Sequence, residues 1–414
     1  MSNLICFHCD RDDDINTIPD NVEFLILKSD NITGIELDNL LNRIRFTLIE
    51  ADIDIKYCAL KNATMKEMKC QVFPKLVRFK IHCSSETAVF ECRDHYNHYC
   101  QYTFAPTVNM KLLENLIHEK MPYLETLYLG EIALVPEKLA CANNIKELTI
   151  QGWFHTEKGD LSTFKNLTKL TIDHSHAVYK LKQPSNTLKY LIITNLLNSI
   201  FADDFIQNCL GLEKLLINEN EIDFINDSMK ILSDITISNT LKFLSVNIYG
   251  DVYTSFIKPC INLELINIEM GRFEHINYDI NGYSSKDLRN FTKLRWLSDN
   301  SRTFSNKSIK NKDYPRSLQY IDVSHSHDIE LDSNDWLTFF NHFDNLLFFC
   351  DVEYIEKYKN EITIPNSYII LDYAIVKKKY RDKFKEFACN NCKDEEENIK
   401  KLLKCFDMED IGYY

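Results

Sequence analysis

The sequence predicts an α/β solenoid, in which short parallel strands alternate with loops and helices. The first observation is a recurring phrase of six residues with aliphatic residues at its first, fourth and sixth positions. The second is its rhythm, because successive phrases from 124 to 263 start 21, 22, 21, 24, 29 and 22 residues apart. Spacings of roughly 20 to 30 residues are typical of solenoids in which each unit adds one strand to a growing sheet. The phrases are LETLYL at 124, IKELTI at 145, LTKLTI at 167, LKYLII at 188, LEKLLI at 212, LKFLSV at 241, LELINI at 263 and LQYIDV at 318.

Each phrase predicts a strand followed by a return segment. The second and third aliphatic residues lie two positions apart, so both point to the same side of a strand. Parallel stacking of neighbouring units then pairs the backbone groups and directs one apolar ladder inward. Several return segments are predicted as short helices, for example at 202–206 and 226–232. The longer spacings belong to the longer return segments.

Towards both ends of the chain the phrase becomes less regular. At the amino end it is read as VEFLIL at 22, LNRIRF at 41 and LVRFKI at 76, and residues 83–110 form either an insertion or a degenerate repeat. LLFFCD at 346 and the strand-like SYIILDYAIV at 367 precede a charged, helix-like segment suited to covering the last apolar layer. We therefore predict an N-terminal cap or extension at 1–20, a solenoid at 21–375 that is irregular at 83–110, and a charged helical C-terminal cap at 376–414.

Composition narrows the classes of partner. The chain has 48 basic and 61 acidic residues, a formal charge of -13, so we expect neither nucleic acid nor an anionic membrane as a partner. We find no signal peptide and no transmembrane stretch, which predicts an intracellular protein, cytoplasmic or nuclear. Most of the 14 cysteines stand alone within apolar phrases, as buried thiols of a reducing compartment do.

The phrases resemble those of the leucine-rich repeat superfamily over residues 20–350. The resemblance implies an arc or horseshoe with a parallel sheet on its concave face, and a role in binding a protein there. In the fullest family motif an Asn or Cys follows the third aliphatic residue by three positions, and here only Asn220 fits well. The irregular period is also similar to that of repeats in F-box adaptors, although no F-box helix set is found ahead of the repeats.

Residues that flank the second aliphatic residue of each phrase should point out onto the concave sheet. Five of these positions are aromatic, which is the composition expected of a protein-binding patch with hot spots. The alternative is structural, because aromatic residues favour strands and pack against one another across a sheet. The predicted protein-binding residues are Tyr128, Tyr190, Phe243, Trp296 and Tyr320.

Three groups of Cys and His residues raise the question of a zinc site. Cys92, His95, His98 and Cys100 are residues of the metal-ligand type, but the single residue before Cys100 is awkward for tetrahedral zinc. The pairs Cys6/Cys9 and Cys389/Cys392 each offer half a zinc site at opposite ends of the chain.

We therefore predict a non-catalytic protein-interaction scaffold with no cofactor. Two alternatives stay open. One is the substrate-receptor subunit of a ubiquitin ligase, and the other is a metal-dependent enzyme with a site in the segment 83–110.

Overall fold

A computed structural model of the chain divides into two compact units. The N-terminal unit comprises residues 1–212 and 226–234, and the C-terminal unit comprises residues 213–225 and 235–414. The structure describes residues 5–10, 15–29, 32–56, 70–84, 89–93, 99–103, 116–130, 143–151, 159–173, 179–181, 183–194, 205–206, 208–218, 239–248, 257–270, 285–299, 306–322, 332–344, 346–349, 365, 367–370 and 374–378.

The N-terminal unit contains a parallel sheet in which the strands follow the order of the chain. Its strands are β1 (Cys6–Cys9), β2 (Phe24–Ser29), β3 (Glu50–Lys56), β4 (Arg78–Ser84), β7 (Thr126–Gly130), β8 (Glu147–Gln151), β10 (Lys169–Asp173) and β12 (Tyr190–Thr194). Outside this sheet, β5 (Val89–Arg93) and β6 (Tyr99–Thr103) form an antiparallel hairpin, and β9 (Gly159–Asp160) pairs in parallel with β11 (Tyr179–Lys180). Strand β1 lies within the segment predicted as an N-terminal cap, so the sheet begins earlier than the first phrase.

The C-terminal unit continues the same pattern of one strand per phrase. Its parallel strands are β13 (Lys214–Asn218), β14 (Phe243–Ile248), β15 (Leu265–Met270), β16 (Trp296–Asp299), β17 (Tyr320–Asp322) and β18 (Leu347–Phe349). The parallel run then stops, because β20 (Ala374–Lys377) pairs antiparallel with β18 and with β19 (Tyr368–Ile370). The apolar segment at 367 is thus two strands.

The parallel strands of both units confirm the predicted fold class, α/β with one strand per repeat. Every phrase from 124 to 318 supplies one strand, and its second and third aliphatic residues are buried wherever the structure describes them. In the N-terminal unit the first ladder is Leu25, Ala51, Phe79, Leu127, Leu148, Leu170 and Leu191. The second ladder is Leu27, Ile53, Ile81, Leu129, Ile150, Ile172 and Ile193. In the C-terminal unit, Leu215, Leu244, Ile266, Leu297, Ile321 and Phe348 continue the first pattern.

One predicted phrase was wrong. LNRIRF at 41 is not a strand but the end of helix α1 (Gly34–Ile44). A capping box starts this helix: the Thr33 hydroxyl accepts from the Glu36 amide at 3.2 Å, and the Glu36 carboxylate accepts from the Thr33 amide at 2.8 Å. Leu37, Leu40, Leu41 and Ile44 are buried at helical spacing. The strand of this repeat is β3, which follows the helix.

Among the described residues, the segment between β4 and β7 adds no strand to the parallel sheet. Strand β4 pairs directly with β7, so the hairpin β5–β6 leaves no gap in the parallel sheet. Within the hairpin, Cys92 and Cys100 are register partners on the two strands. Their side chains, together with His95 and His98, lie outside the described residues.

The turns that precede the strands are joined by a side-chain ladder. Asn144 and Asn166 each donate from Nδ2 to a backbone carbonyl of the preceding turn, those of Pro122 and Asn143. Thr187 continues the series by donating its hydroxyl to the Lys165 carbonyl at 3.0 Å. In the C-terminal unit, Asn262 donates to the Asn239 carbonyl at 2.8 Å. All these donors stand immediately before the first aliphatic residue of a phrase, so this position pairs the turn carbonyls. The family's usual asparagine position falls outside the described residues.

Aromatic side chains fill the carboxyl end of the C-terminal unit. Helices α2 (Ser285–Leu288) and α3 (Asn306–Asn311) occupy return segments, and α4 (Ser333–His342) follows β17. The Asp332 side chain caps α4 by accepting from the Asp335 amide at 2.9 Å. From α4, Trp336, Phe339 and Phe340 pack edge-on or stacked with one another and against Phe348. The predicted helical cap at 376–414 lies almost wholly outside the described residues.

Candidate functional site

The side of each sheet opposite the aliphatic ladders is called here the outer face. In the N-terminal unit it is formed by the first, third and fifth residues of strands β2, β3, β4, β7, β8, β10 and β12. From β7 to β12 the side chains alternate between buried aliphatic residues and partly exposed residues of the outer face. The alternation confirms the predicted direction of these residues, because successive side chains of a strand point to opposite sides.

A hydrogen-bonded chain crosses the outer face of the N-terminal unit. The Tyr128 hydroxyl donates to Gln151 Oε1, and Gln151 Nε2 donates to Asp173 Oδ2 at 2.8 Å. The hydroxyl of Thr194 donates to the other oxygen of Asp173 at 2.6 Å. These residues lie on four successive strands, so each contact depends on the register of the sheet. These hydrogen bonds restrict the orientation of the Tyr128 ring.

Charged side chains of β3 and β4 lie beside the Tyr128 ring, on the side away from Gln151. Lys80 Nζ lies 5.1 Å from the centroid of the Tyr128 ring and 2.9 Å from Asp52 Oδ2. One row further along, Arg78 Nη1 lies 3.0 Å from Glu50 Oε2. Both ion pairs join register partners on β3 and β4. Such exposed pairs stabilise a fold only slightly, but they order long side chains on the face.

Gly130 makes room for this arrangement. A Cβ atom at Gly130 would lie 2.9 Å from Cδ2 of His82 and 3.0 Å from Cε1 of Tyr128. The two rings therefore occupy the space above this glycine, and a larger residue would displace them.

The outer face of the C-terminal unit is different, because its largest residues are buried. Phe243, Trp296 and Tyr320 are 1%, 3% and 4% exposed, and Leu265 and Leu347 in the same row are fully buried. The five are register partners on consecutive strands. Trp296 stacks on Tyr320 with ring centroids 3.7 Å apart and planes inclined by 19°. The row is an apolar layer on the second side of the sheet.

Polar groups around this layer are satisfied within the unit. Lys214 Nζ lies 5.4 Å from the centroid of the Phe243 ring, and burial lowers the pKa of Lys214, with Glu213 opposing this shift and Lys242 adding to it. The Tyr320 hydroxyl donates to Asp322 at 3.2 Å, and Asn267 donates to the Ser245 hydroxyl at 3.1 Å.

The five predicted binding residues are thus divided by the structure. Tyr128 and Tyr190 are half-buried on the outer face of the N-terminal unit. Phe243, Trp296 and Tyr320 lie on the outer face as expected, but almost none of their surface reaches solvent. Their burial gives these three a packing role, and a role of any of the five in binding stays a prediction.

No metal centre is formed by the side chains that the structure describes, since no three His, Cys, Asp or Glu residues among them come together. Cys9 is buried and Cys6 is exposed at the edge strand β1. Burial raises the pKa of the Cys209 and Cys260 thiols to about 12, and raises that of Cys70 to about 12 with help from Asp38. These three thiols stay protonated at neutral pH and act as apolar core residues. The pair Cys389/Cys392 lies outside the described residues.

Comparison with known proteins gives similarity to solved structures only. No protein-family model matches the chain, and no curated protein matches it. Among solved structures, an internalin (InlF) from Listeria monocytogenes aligns over 78% of this chain and 80% of its own, with 16% sequence identity and a TM-score of 0.43. In the described part of the chain, no helix has the length and apolar character needed to cross a membrane.

Proposed function

We propose that the protein is a non-catalytic scaffold that binds a protein partner on the outer face of the N-terminal unit. The observation that carries this proposal is the fixed tyrosine at its centre. Tyr128 is half-buried, its ring lies beside the Lys80 ammonium group, and its hydroxyl is held by Gln151. A tyrosine ordered in advance loses little conformational entropy when it is covered by a partner, and tyrosine is among the residues most often found at binding hot spots.

The charge pattern favours a protein as the partner. The outer face carries basic and acidic residues in alternation, including the pairs Glu50–Arg78 and Asp52–Lys80. A nucleic-acid surface needs a uniformly basic patch, and the chain as a whole carries a formal charge of -13. Mixed charge around an aromatic residue is instead typical of the rim of a protein interface.

The test is cross-linking capture from cells with matched variants. The face variant Thr149→Arg/Thr171→Arg places two long side chains beside Tyr128, where strands β7, β8 and β10 are in register. The control Tyr123→Arg changes a residue that is 59% exposed in the turn before β7, off the outer face. Proteins captured by the wild type and the control but lost from the face variant support the proposal. An identical set of captured proteins for all three contradicts it.

The alternatives stay predictions. The enzyme alternative concerns side chains of the hairpin β5–β6 that lie outside the described residues, and no observation of the described residues favours the ubiquitin-ligase alternative.

A further inference from the structure

The outer face between Tyr128 and Tyr190 contains a group of polar side chains that have no partner among the described residues. These residues are called here the open patch: Thr126, Glu147, Thr149, Lys169 and Thr171. They lie in two register rows, Thr126–Glu147–Lys169–Tyr190 and Tyr128–Thr149–Thr171–Ile192. Over the described residues, the five side chains of the open patch make no hydrogen bond or ion pair.

The neighbouring polar groups behave differently. On one side, Glu50 and Arg78 are register partners and form an ion pair at 3.0 Å. On the other, Gln151, Asp173 and Thr194 are joined by hydrogen bonds of 2.8 and 2.6 Å. The open patch therefore lies between two satisfied networks on the same sheet.

Glu147 and Lys169 are the informative members of the open patch. They are register partners on β8 and β10, which places their Cα atoms about 5 Å apart. Opposite charges at this separation can pair, as Glu50 and Arg78 do on β3 and β4, although Lys28 and Asp54 on β2 and β3 do not. Glu147 and Lys169 do not pair, Glu147 is exposed, and Lys169 is half-exposed. Both charges remain available to groups outside the chain.

Threonine side chains form the surface beside the two charged residues. Thr149 and Thr171 are adjacent in register and form the row next to Glu147 and Lys169. Their side chains are small, so a partner can approach the sheet closely there, and their hydroxyls offer a donor and an acceptor. Tyr128 and Ile192 end this row with larger, partly apolar side chains.

We propose that the open patch binds a helical segment of a protein partner that carries a basic and an acidic side chain one turn apart. The basic group pairs with Glu147 and the acidic group with Lys169. Residues three or four apart on a helix have Cβ atoms about 5 to 6 Å apart, which matches the spacing of neighbouring strands. Charge complementarity of this kind sets the register and selectivity of an interface more than its total affinity. This inference rests on the proposed function and specifies its partner.

The test uses a display library of helical peptides randomised on one face, selected on the full-length chain. Wild-type protein is expected to enrich peptides with one basic and one acidic residue one turn apart. Glu147→Lys leaves two positive charges and should enrich peptides with two acidic residues. Lys169→Glu leaves two negative charges and should enrich peptides with two basic residues. Each charge is reversed singly. If Glu147 and Lys169 were exchanged together, the same peptide could still bind with its helix direction reversed, and the selection would not change.

A matched control exists on the same face. Lys28 and Asp54 are also register partners of opposite charge, and the described residues hold no partner for either side chain. They lie on β2 and β3, away from the two tyrosines, so Lys28→Glu and Asp54→Lys should retain the wild-type preference. Peptides selected on the wild type should bind Glu147→Lys at least about tenfold more weakly and the control variants equally well.

Two results overturn the inference. Enriched peptides without a charge pair, or with preferences that the reversals leave unchanged, contradict this inference while leaving the proposed function standing. Failure of the wild type to enrich any peptide also contradicts it, and the capture experiment with Thr149→Arg/Thr171→Arg then decides separately whether the face binds a protein at all. Circular dichroism of each variant verifies that the fold is intact.

Discussion

The two units have the same strand repeat but differ in the polarity and exposure of the outer face. In the N-terminal unit this face is polar and partly exposed, with Tyr128 fixed among charged groups. In the C-terminal unit the corresponding row is apolar and buried, with Trp296 stacked on Tyr320. Tyr190 and Trp296 hold the same position of the repeat, yet Tyr190 is half-buried on the outer face whereas Trp296 is 3% exposed within the apolar layer. The difference arises from the neighbours on adjacent strands, which are charged in the first case and apolar in the second.

The largest expected effect concerns this buried row. Trp296→Ala removes a side chain that is 3% exposed and stacked on Tyr320, and it should lower the free energy of unfolding of the C-terminal unit by about 3 to 5 kcal/mol. Urea-dependent alkylation of Cys260 reports on this unit, because its buried thiol, with a pKa raised to about 12, reacts only after opening. Trp296→Phe keeps a stacking ring, so its free energy of unfolding should fall less than that of Trp296→Ala. An unchanged Cys260 labelling midpoint in Trp296→Ala would mean that the row is not part of the core.

The next effect tests backbone packing in the N-terminal unit. A Cβ atom at Gly211 would lie 2.2 Å from the Asn186 carbonyl oxygen, so Gly211→Ala forces the backbone to move and should cost about 1 to 3 kcal/mol. Cys209 is the labelling probe for this unit, since burial raises its thiol pKa to about 12 as well. Gly130→Ala is the control, because its nearest atoms belong to the side chains of His82 and Tyr128, which can shift. Equal losses of unfolding free energy in Gly211→Ala and Gly130→Ala would show that the close backbone contact of Gly211 is not what makes its substitution costly.

The side-chain hydrogen bonds of the turn ladder should contribute equally to the free energy of unfolding of the two units. Asn166→Ala and Asn262→Ala each remove one side-chain hydrogen bond to a turn carbonyl and should each cost about 1 kcal/mol. Thr187→Val offers a nearly isosteric deletion of the same kind of bond, and Thr187→Ser retains the hydroxyl as its control. Denaturant titration of the variants measures the differences. If Thr187→Ser loses as much stability as Thr187→Val, the hydroxyl is not the cause.

The smallest effect on stability is expected at Tyr190. It occupies the same position of its phrase as Phe243, but it is half-buried where Phe243 is 1% exposed. Tyr190→Ala should therefore change the free energy of unfolding by less than about 1 kcal/mol, whereas Phe243→Ala should cost about 3 to 5 kcal/mol. Thermal unfolding of the two variants side by side makes the comparison. Similar losses at both positions would remove the distinction between the two faces.

Most of the strand positions could be predicted from the phrases, because burial of the fourth and sixth residues is a periodic property that a single unit already shows. LNRIRF failed since its aliphatic residues fit a helix as well as a strand, and the Thr33/Glu36 capping box was the available signal for a helix. The turn ladder also had a signal, the Asn or Thr directly before a phrase, as at Asn144, Asn166 and Thr187. Its bonding partners lie more than twenty residues away in the preceding turn.

The sequence by itself determined the strand repeat and the direction of its side chains, because both follow from the spacing of aliphatic residues within six positions. Only the tertiary structure decided which outward residues are available. The burial of Phe243, Trp296 and Tyr320, the fixation of Tyr128 by Lys80 and Gln151, and the unpaired state of Glu147 and Lys169 all depend on side chains of neighbouring strands. Exposure and pairing are set by contacts between residues that are distant along the chain, and a local phrase carries no information about them.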